Sequence, residues 1–120
     1  MAKCDEGYRC DVCGGDVTSI VESDLYLRFV IGHLDPEKLH VAPERHLRCN
    51  PVLSQCIRDE RFDEIEADGP FRLSELDPKH AADMIDLVTR GYRRLWEIIE
   101  TENDRDVTEY PLPEVRARYQ

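Results

Sequence analysis

Two cysteines three positions apart, followed at once by two glycines, constrain this chain more than any other feature: Cys10-Asp11-Val12-Cys13-Gly14-Gly15. Such a segment must turn tightly, and Gly14 can take a positive φ that a side chain would resist. In that turn both sulfurs face one point, and backbone N–H groups can aim at them and offset thiolate charge. The geometry suits one tetrahedral ion held by two thiolates. A redox pair is the competing reading of Cys-x-x-Cys. Redox motifs of the thioredoxin kind follow a strand and open a helix, whereas Gly14-Gly15 and the β-branched Val17, Thr18, Ile20 and Val21 that follow argue against a helix here.

A second pair of donors, His46-x-x-Cys49, is separated from Cys13 by 32 residues and ends where a helix begins. The candidate metal ligands are therefore Cys10, Cys13, His46 and Cys49. A Cys₃His set is a recognised structural type for Zn²⁺. The positive end of the following helix would favour bound thiolates. The order of knuckle, predicted strands, second pair and helix resembles treble-clef and zinc-ribbon domains over about residues 8–58, and the resemblance implies one structural Zn²⁺. In treble clefs the last ligand lies in the first turn of the helix. Here Asn50-Pro51 sets the helix start just after Cys49, which makes the second pair a knuckle of its own, as in a ribbon.

The remaining cysteines and histidines have plainer readings. Cys56 falls on the apolar face of the helix after Pro51 and reads as core, with a ligand role as the alternative. Cys4 reads as an incidental thiol near the terminus. His40 sits between Leu39 and Val41 as a surface residue that can stand in for His46, and His33 ends a strand in solvent. His80, Asp83 and Asp86 line one side of a helix at i,i+3 spacing; a solvated face is the expectation, a second cation site the alternative.

The fold class expected is α+β: a small antiparallel β-meander carrying the zinc knuckle, a short helix and a long C-terminal amphipathic helix. Strands are predicted at 17–21, at 25–31, where Leu25, Leu27, Phe29 and Ile31 alternate with Tyr26, Arg28 and Val30, and at 39–41. Asn50-Pro51 and Asp77-Pro78 are N-cap and first-turn pairs that open helices over 51–58 and 78–102. Ala81, Met84, Ile85, Val88, Tyr92, Leu95, Trp96 and Ile99 make the buried stripe of the second, expected to pack over the meander and the 51–58 helix. Gly91 interrupts it at a cost of about 1 kcal/mol relative to Ala. The whole of 1–120 reads as a single domain: a zinc-binding module at 8–58, an acidic connector with one strand at most at 59–77, the long helix, and an extended tail at 104–120 bearing Pro111-Leu112-Pro113.

Charge narrows the function. The chain carries a formal −10, which opposes general affinity for phosphate backbones. Residues 28–48 are locally +1, with Arg28, Lys38, Arg45, Arg48 and three histidines, whereas residues 57–89 are −6. No stretch of about 18 apolar residues spans a bilayer, and no apolar run near Met1 resembles a signal peptide, so a cytoplasmic protein without a disulfide framework is expected. The function expected is a zinc-stabilised protein-interaction module whose partner is another protein. Two alternatives are a nucleic-acid-binding zinc domain using the 28–48 patch, and a small zinc hydrolase with Glu44 as general base beside a zinc-bound water.

Overall fold

The computed structural model describes residues 8–17, 19–34, 38, 42, 44–67, 69–70, 72–100 and 110–119. Its core is helical, and the described residues do not show the expected meander. The paired strands among the described residues are β1 (Tyr8–Arg9) and β2 (Asp16–Val17), two residues each and antiparallel. A 3₁₀ turn follows at Ile20–Glu22, and the span read as the central strand is the helix α1 (Asp24–Val30). The predicted strand at 39–41 lies outside the described residues.

The error at 25–31 has a physical cause. Leu25, Tyr26, Leu27, Phe29, Val30 and Ile31 are all buried, so neither period 2 nor period 3.6 separates an inner from an outer face. A short run that is apolar except for Arg28 is compatible with a buried strand or a buried helix. The helix was marked at its start instead. The Ser23 side chain accepts from the Tyr26 N–H at 3.0 Å as N-cap, and Asp24 and Arg28 pair one turn apart at 2.9 Å.

Three further helices among the described residues start on a proline. α2 (Pro51–Ser54) begins at the predicted residue but is shorter than predicted; Leu53, Cys56 and Ile57 are buried while Val52 is exposed. The connector holds no strand among its described residues, only a 3₁₀ turn at Leu73–Glu75 whose Leu73 N–H donates to Gln55 Oε1. The long helix is α3 (Pro78–Glu100). Its buried side is Val88, Thr89, Gly91, Tyr92, Leu95 and Ile98, turned slightly from the stripe expected: Ile99 is exposed, and Met84, Ile85 and Trp96 are half-buried. The tail is not wholly extended. α4 (Pro113–Arg116) starts on Pro113 and passes into a 3₁₀ turn at Ala117–Tyr119. Leu112 and Val115 are buried in the core, and the Leu112 N–H donates to the Val30 carbonyl.

α3 packs on α1 rather than on a sheet, and Gly91 explains how closely. A Cβ at position 91 would lie 2.4 Å from Ile31 Cγ2 and 3.1 Å from Leu27 Cδ1. The glycine that weakens α3 as an isolated helix is thus what lets α1 approach it. Polar ties complete the joint. The Thr89 hydroxyl donates to the Cys56 carbonyl and accepts from the Arg58 N–H. Asp59, its side chain nearly buried, accepts from Arg61 and from Arg93 on α3.

Two outcomes follow from this joint. Gly91→Ala should lower the urea midpoint although it raises helix propensity, because overpacking at ~1–3 kcal/mol outweighs a propensity gain of ~1 kcal/mol. The Arg61 guanidinium, with Arg93 adding to it against the effect of burial, holds the Asp59 carboxyl well below the usual carboxylate range. A depressed folded-state value adds stability above the unfolded value, and that stability is lost as pH falls through the folded one. Asp59→Asn should therefore lower the melting temperature at pH 7, with the gap to wild type closing as both are melted at progressively more acid pH below ~4.

Candidate metal centre

The knuckle is the turn between β1 and β2, whose register sets Tyr8 against Val17 and Arg9 against Asp16. Cys10 N–H donates to the Gly15 carbonyl at 2.8 Å and Gly14 N–H to the Cys10 carbonyl at 2.9 Å. Gly14 has φ 76°, the left-handed conformation its position after the second cysteine called for. The backbone N–H groups of Val12 and His46 each donate to Cys10 Sγ at 3.4 Å, and Gly15 N–H donates to Cys13 Sγ at 3.4 Å.

The second arm is held against α1. Ser23 and His46 form an isolated antiparallel bridge, and the Asp24 N–H donates to the Arg45 carbonyl at 2.9 Å. His46 caps a 3₁₀ turn at Leu47–Cys49, so Cys49 lies in a turn separate from the helix that begins at Pro51. The Nε2 of His46 is 2.8 Å from the Asp16 carbonyl. A carbonyl only accepts, so Nε2 carries a proton, and Nδ1 is the ring nitrogen turned to the sulfurs. That nitrogen lies 3.3 Å from Cys13 Sγ and 3.9 Å from Cys49 Sγ.

Cys10, Cys13, His46 and Cys49 thus lie close together, their donor atoms all within 4.8 Å of one another, and can hold a metal ion. A tetrahedral ion with bonds of ~2.3 Å to sulfur and ~2.0 Å to nitrogen needs donor–donor edges of roughly 3.5–3.8 Å. The two sulfur–nitrogen distances fall on either side of that.

Electrostatics within the cluster are those of crowded donors. Burial acts to raise the Cys10 thiol, but N–H groups of Cys13, His46 and Val12 outweigh it and bring it down to about 6. Burial pushes the Cys49 thiol up to about 12, and the neighbouring sulfurs of Cys10 and Cys13 add to the rise. The Asp16 carbonyl raises the His46 imidazole, with burial opposing and the Cys10 and Cys13 sulfurs assisting. A cation placed among these groups would displace protons that the cluster otherwise retains.

Residues around the cluster do work the sequence did not disclose. Glu44, buried, accepts at Oε1 from the Ser23 hydroxyl at 2.7 Å, from the Arg45 N–H at 3.0 Å and from the Leu25 N–H at 3.4 Å. Its carbonyl accepts from Asp11 N–H at 2.8 Å. Asn50 Nδ2 donates to the buried Asp24 at 2.9 Å. Arg45 grips Asp11 with two bonds, which ties one knuckle to the other. No spacing rule links positions so far apart in sequence.

Other candidates are placed as follows. Cys56 is buried in the hydrophobic core and is not part of the cluster. His33 is exposed. Asp83 pairs with Lys79 and Asp86 with Arg90, and among the described residues no other group of donors could hold a metal. Of the basic patch, Arg28 is engaged by Asp24 and Arg45 by Asp11, while Lys38 and Arg48 are exposed. Cys4 and His40 lie outside the described residues. No helix among those residues is long and apolar enough to cross a membrane.

Comparison of the chain with known protein families, with curated proteins and with solved structures gave no match in any of the three.

Proposed function

We propose that this chain is a small zinc-stabilised protein-interaction module, and that Cys10, Cys13, His46 and Cys49 bind one structural Zn²⁺. The observation that carries the reading is the convergence of three sulfurs and one imidazole whose protonated nitrogen is already committed to the Asp16 carbonyl. Thiolate and imidazole donors in a tetrahedral arrangement favour Zn²⁺ over hard cations, which prefer oxygen. Four protein donors leave a tetrahedral ion no open position for a reactive water, so the site serves structure rather than catalysis. The engagement of Glu44 in the cap of α1 counts against a general-base role. The net charge of −10 and the pairing of Arg28 and Arg45 with carboxylates count against a phosphate-backbone ligand. The surface offered to a partner is the acidic connector at 59–77, which suits a basic protein face.

Purified protein should carry about one Zn²⁺ per chain, with metal–sulfur distances near ~2.3 Å by X-ray absorption. Cys49→Ser should weaken zinc binding strongly, whereas Cys56→Ser should keep the zinc and lose stability by roughly 1–3 kcal/mol from a hydroxyl in the core. Equal loss of zinc in the two variants would refute the ligand assignment. Zinc affinity should rise with pH, because binding must expel the proton held by Cys49; titration calorimetry in two buffers of different ionisation enthalpy reads that release directly. The interaction reading predicts a discrete protein partner whose binding weakens with salt and is lost on chelation. Tight nucleic-acid binding at physiological salt, abolished by Arg48→Ala, would replace it.

A further inference from the structure

Beside the metal centre lies a concavity of ≈ 570 Å³ whose walls include Arg48, Arg61, Phe62, Tyr92 and Trp96. The donors His46 and Cys49 form part of the same wall. Its size falls within the range of small-molecule sites, roughly 300–1,000 Å³. The aromatic side is built rather than incidental. Phe62 and Tyr92 meet edge to face with centroids 5.5 Å apart, and the Arg61 guanidinium lies 5.1 Å from the centroid of the Trp96 ring.

The two guanidiniums differ in what holds them. Arg61 is fixed by Asp59 and reaches Glu100, so it serves as a preset part of the wall. Arg48 is 68% exposed, lies 6.0 Å from the Phe62 centroid, and has a loose 3.8 Å contact with an Asp63 carboxylate that is itself 93% exposed. An ion pair of that kind is worth little and is readily exchanged for a better acceptor. Glu22 also lines the cavity, and its carboxylate sets a limit on how much negative charge an occupant can bring.

We propose that this cavity binds a small planar aromatic molecule bearing a single negative group, its ring against Phe62, Tyr92 and Trp96 and its anion on Arg48. Offset and edge-to-face ring contacts supply attraction beyond burial. A guanidinium and a carboxylate can join through two parallel charge-assisted hydrogen bonds. The proposal goes beyond the protein-contact reading and does not depend on it, since it concerns a small ligand and needs no partner chain.

Trp96 is the sole tryptophan, so its emission reports the cavity directly. The test titrates the purified full chain with three compounds of one shape: benzoate, neutral benzamide and cationic benzamidine. Benzoate should perturb Trp96 emission saturably and bind roughly tenfold more tightly than benzamide, with benzamidine weakest. Arg48→Gln, at an exposed position, should melt like wild type and bind benzoate no better than benzamide. Phe62→Leu should weaken both while preserving the preference for the anion. Equal affinities for the three compounds, no saturable response to any of them, or unchanged benzoate binding in Arg48→Gln would each overturn the proposal.

Discussion

The arrangement of this protein depends on a buried carboxylate. Glu44 is 4% exposed and accepts hydrogen bonds from the Ser23 hydroxyl and from the Leu25 and Arg45 backbone amides. A buried carboxyl group is costly unless it is hydrogen-bonded, and three donors on Oε1 hold the segment that carries Glu44 across the start of α1. Everything on the second arm of the metal centre inherits its position from that attachment. The Arg45 carbonyl takes the Asp24 N–H, Arg45 reaches Asp11, and Asn50 reaches Asp24. His46 and Cys49 are presented to the knuckle by a polar joint beside the cluster, so the donors are brought together by the fold.

That division explains what could be read in advance. The cluster was legible because ligand chemistry is local: Cys-x-x-Cys-Gly requires one kind of turn, and His46-x-x-Cys49 requires another, whatever surrounds them. The helix starts at Pro51 and Pro78 were legible for the same reason. The identity of α1 was not. When Tyr26 and Val30 are as buried as Leu25 and Leu27, hydrophobic periodicity carries no information about the element, and only Ser23 and the Asp24–Arg28 pair spoke for a helix. Replacing the expected meander by α1 also changed what α3 packs against, which is why its buried side includes Gly91 and Ile98 in place of Trp96 and Ile99. The displaced Trp96 then becomes a wall of the cavity next to the metal centre.

The role of Gly91 shows how a residue can be unfavourable at one level and required at the next. By helix propensity it is a defect in the middle of α3. By packing it is the place where Ile31 fits. The supporting residues of the metal centre pose a similar difficulty: Asp16 is one acidic residue among 26 acidic side chains in this sequence, and its contribution is its carbonyl, which no residue-type rule can flag.

The separation of the two arms also has a topological consequence. Cys13 and His46 are 33 positions apart, and the whole of α1 lies between them. An ion holding both arms is a cross-link that closes a loop of that length, and in a chain-entropy description a cross-link of this size removes ~4 kcal/mol of freedom from the unfolded ensemble. In a metal-loaded chain that has lost its core, the span containing α1 would still be tethered at both ends beside the knuckle. The element hardest to identify from its own residues is thus the helix whose unfolded conformations a bound metal would restrict, and refolding would then start from a circle rather than from an open strand.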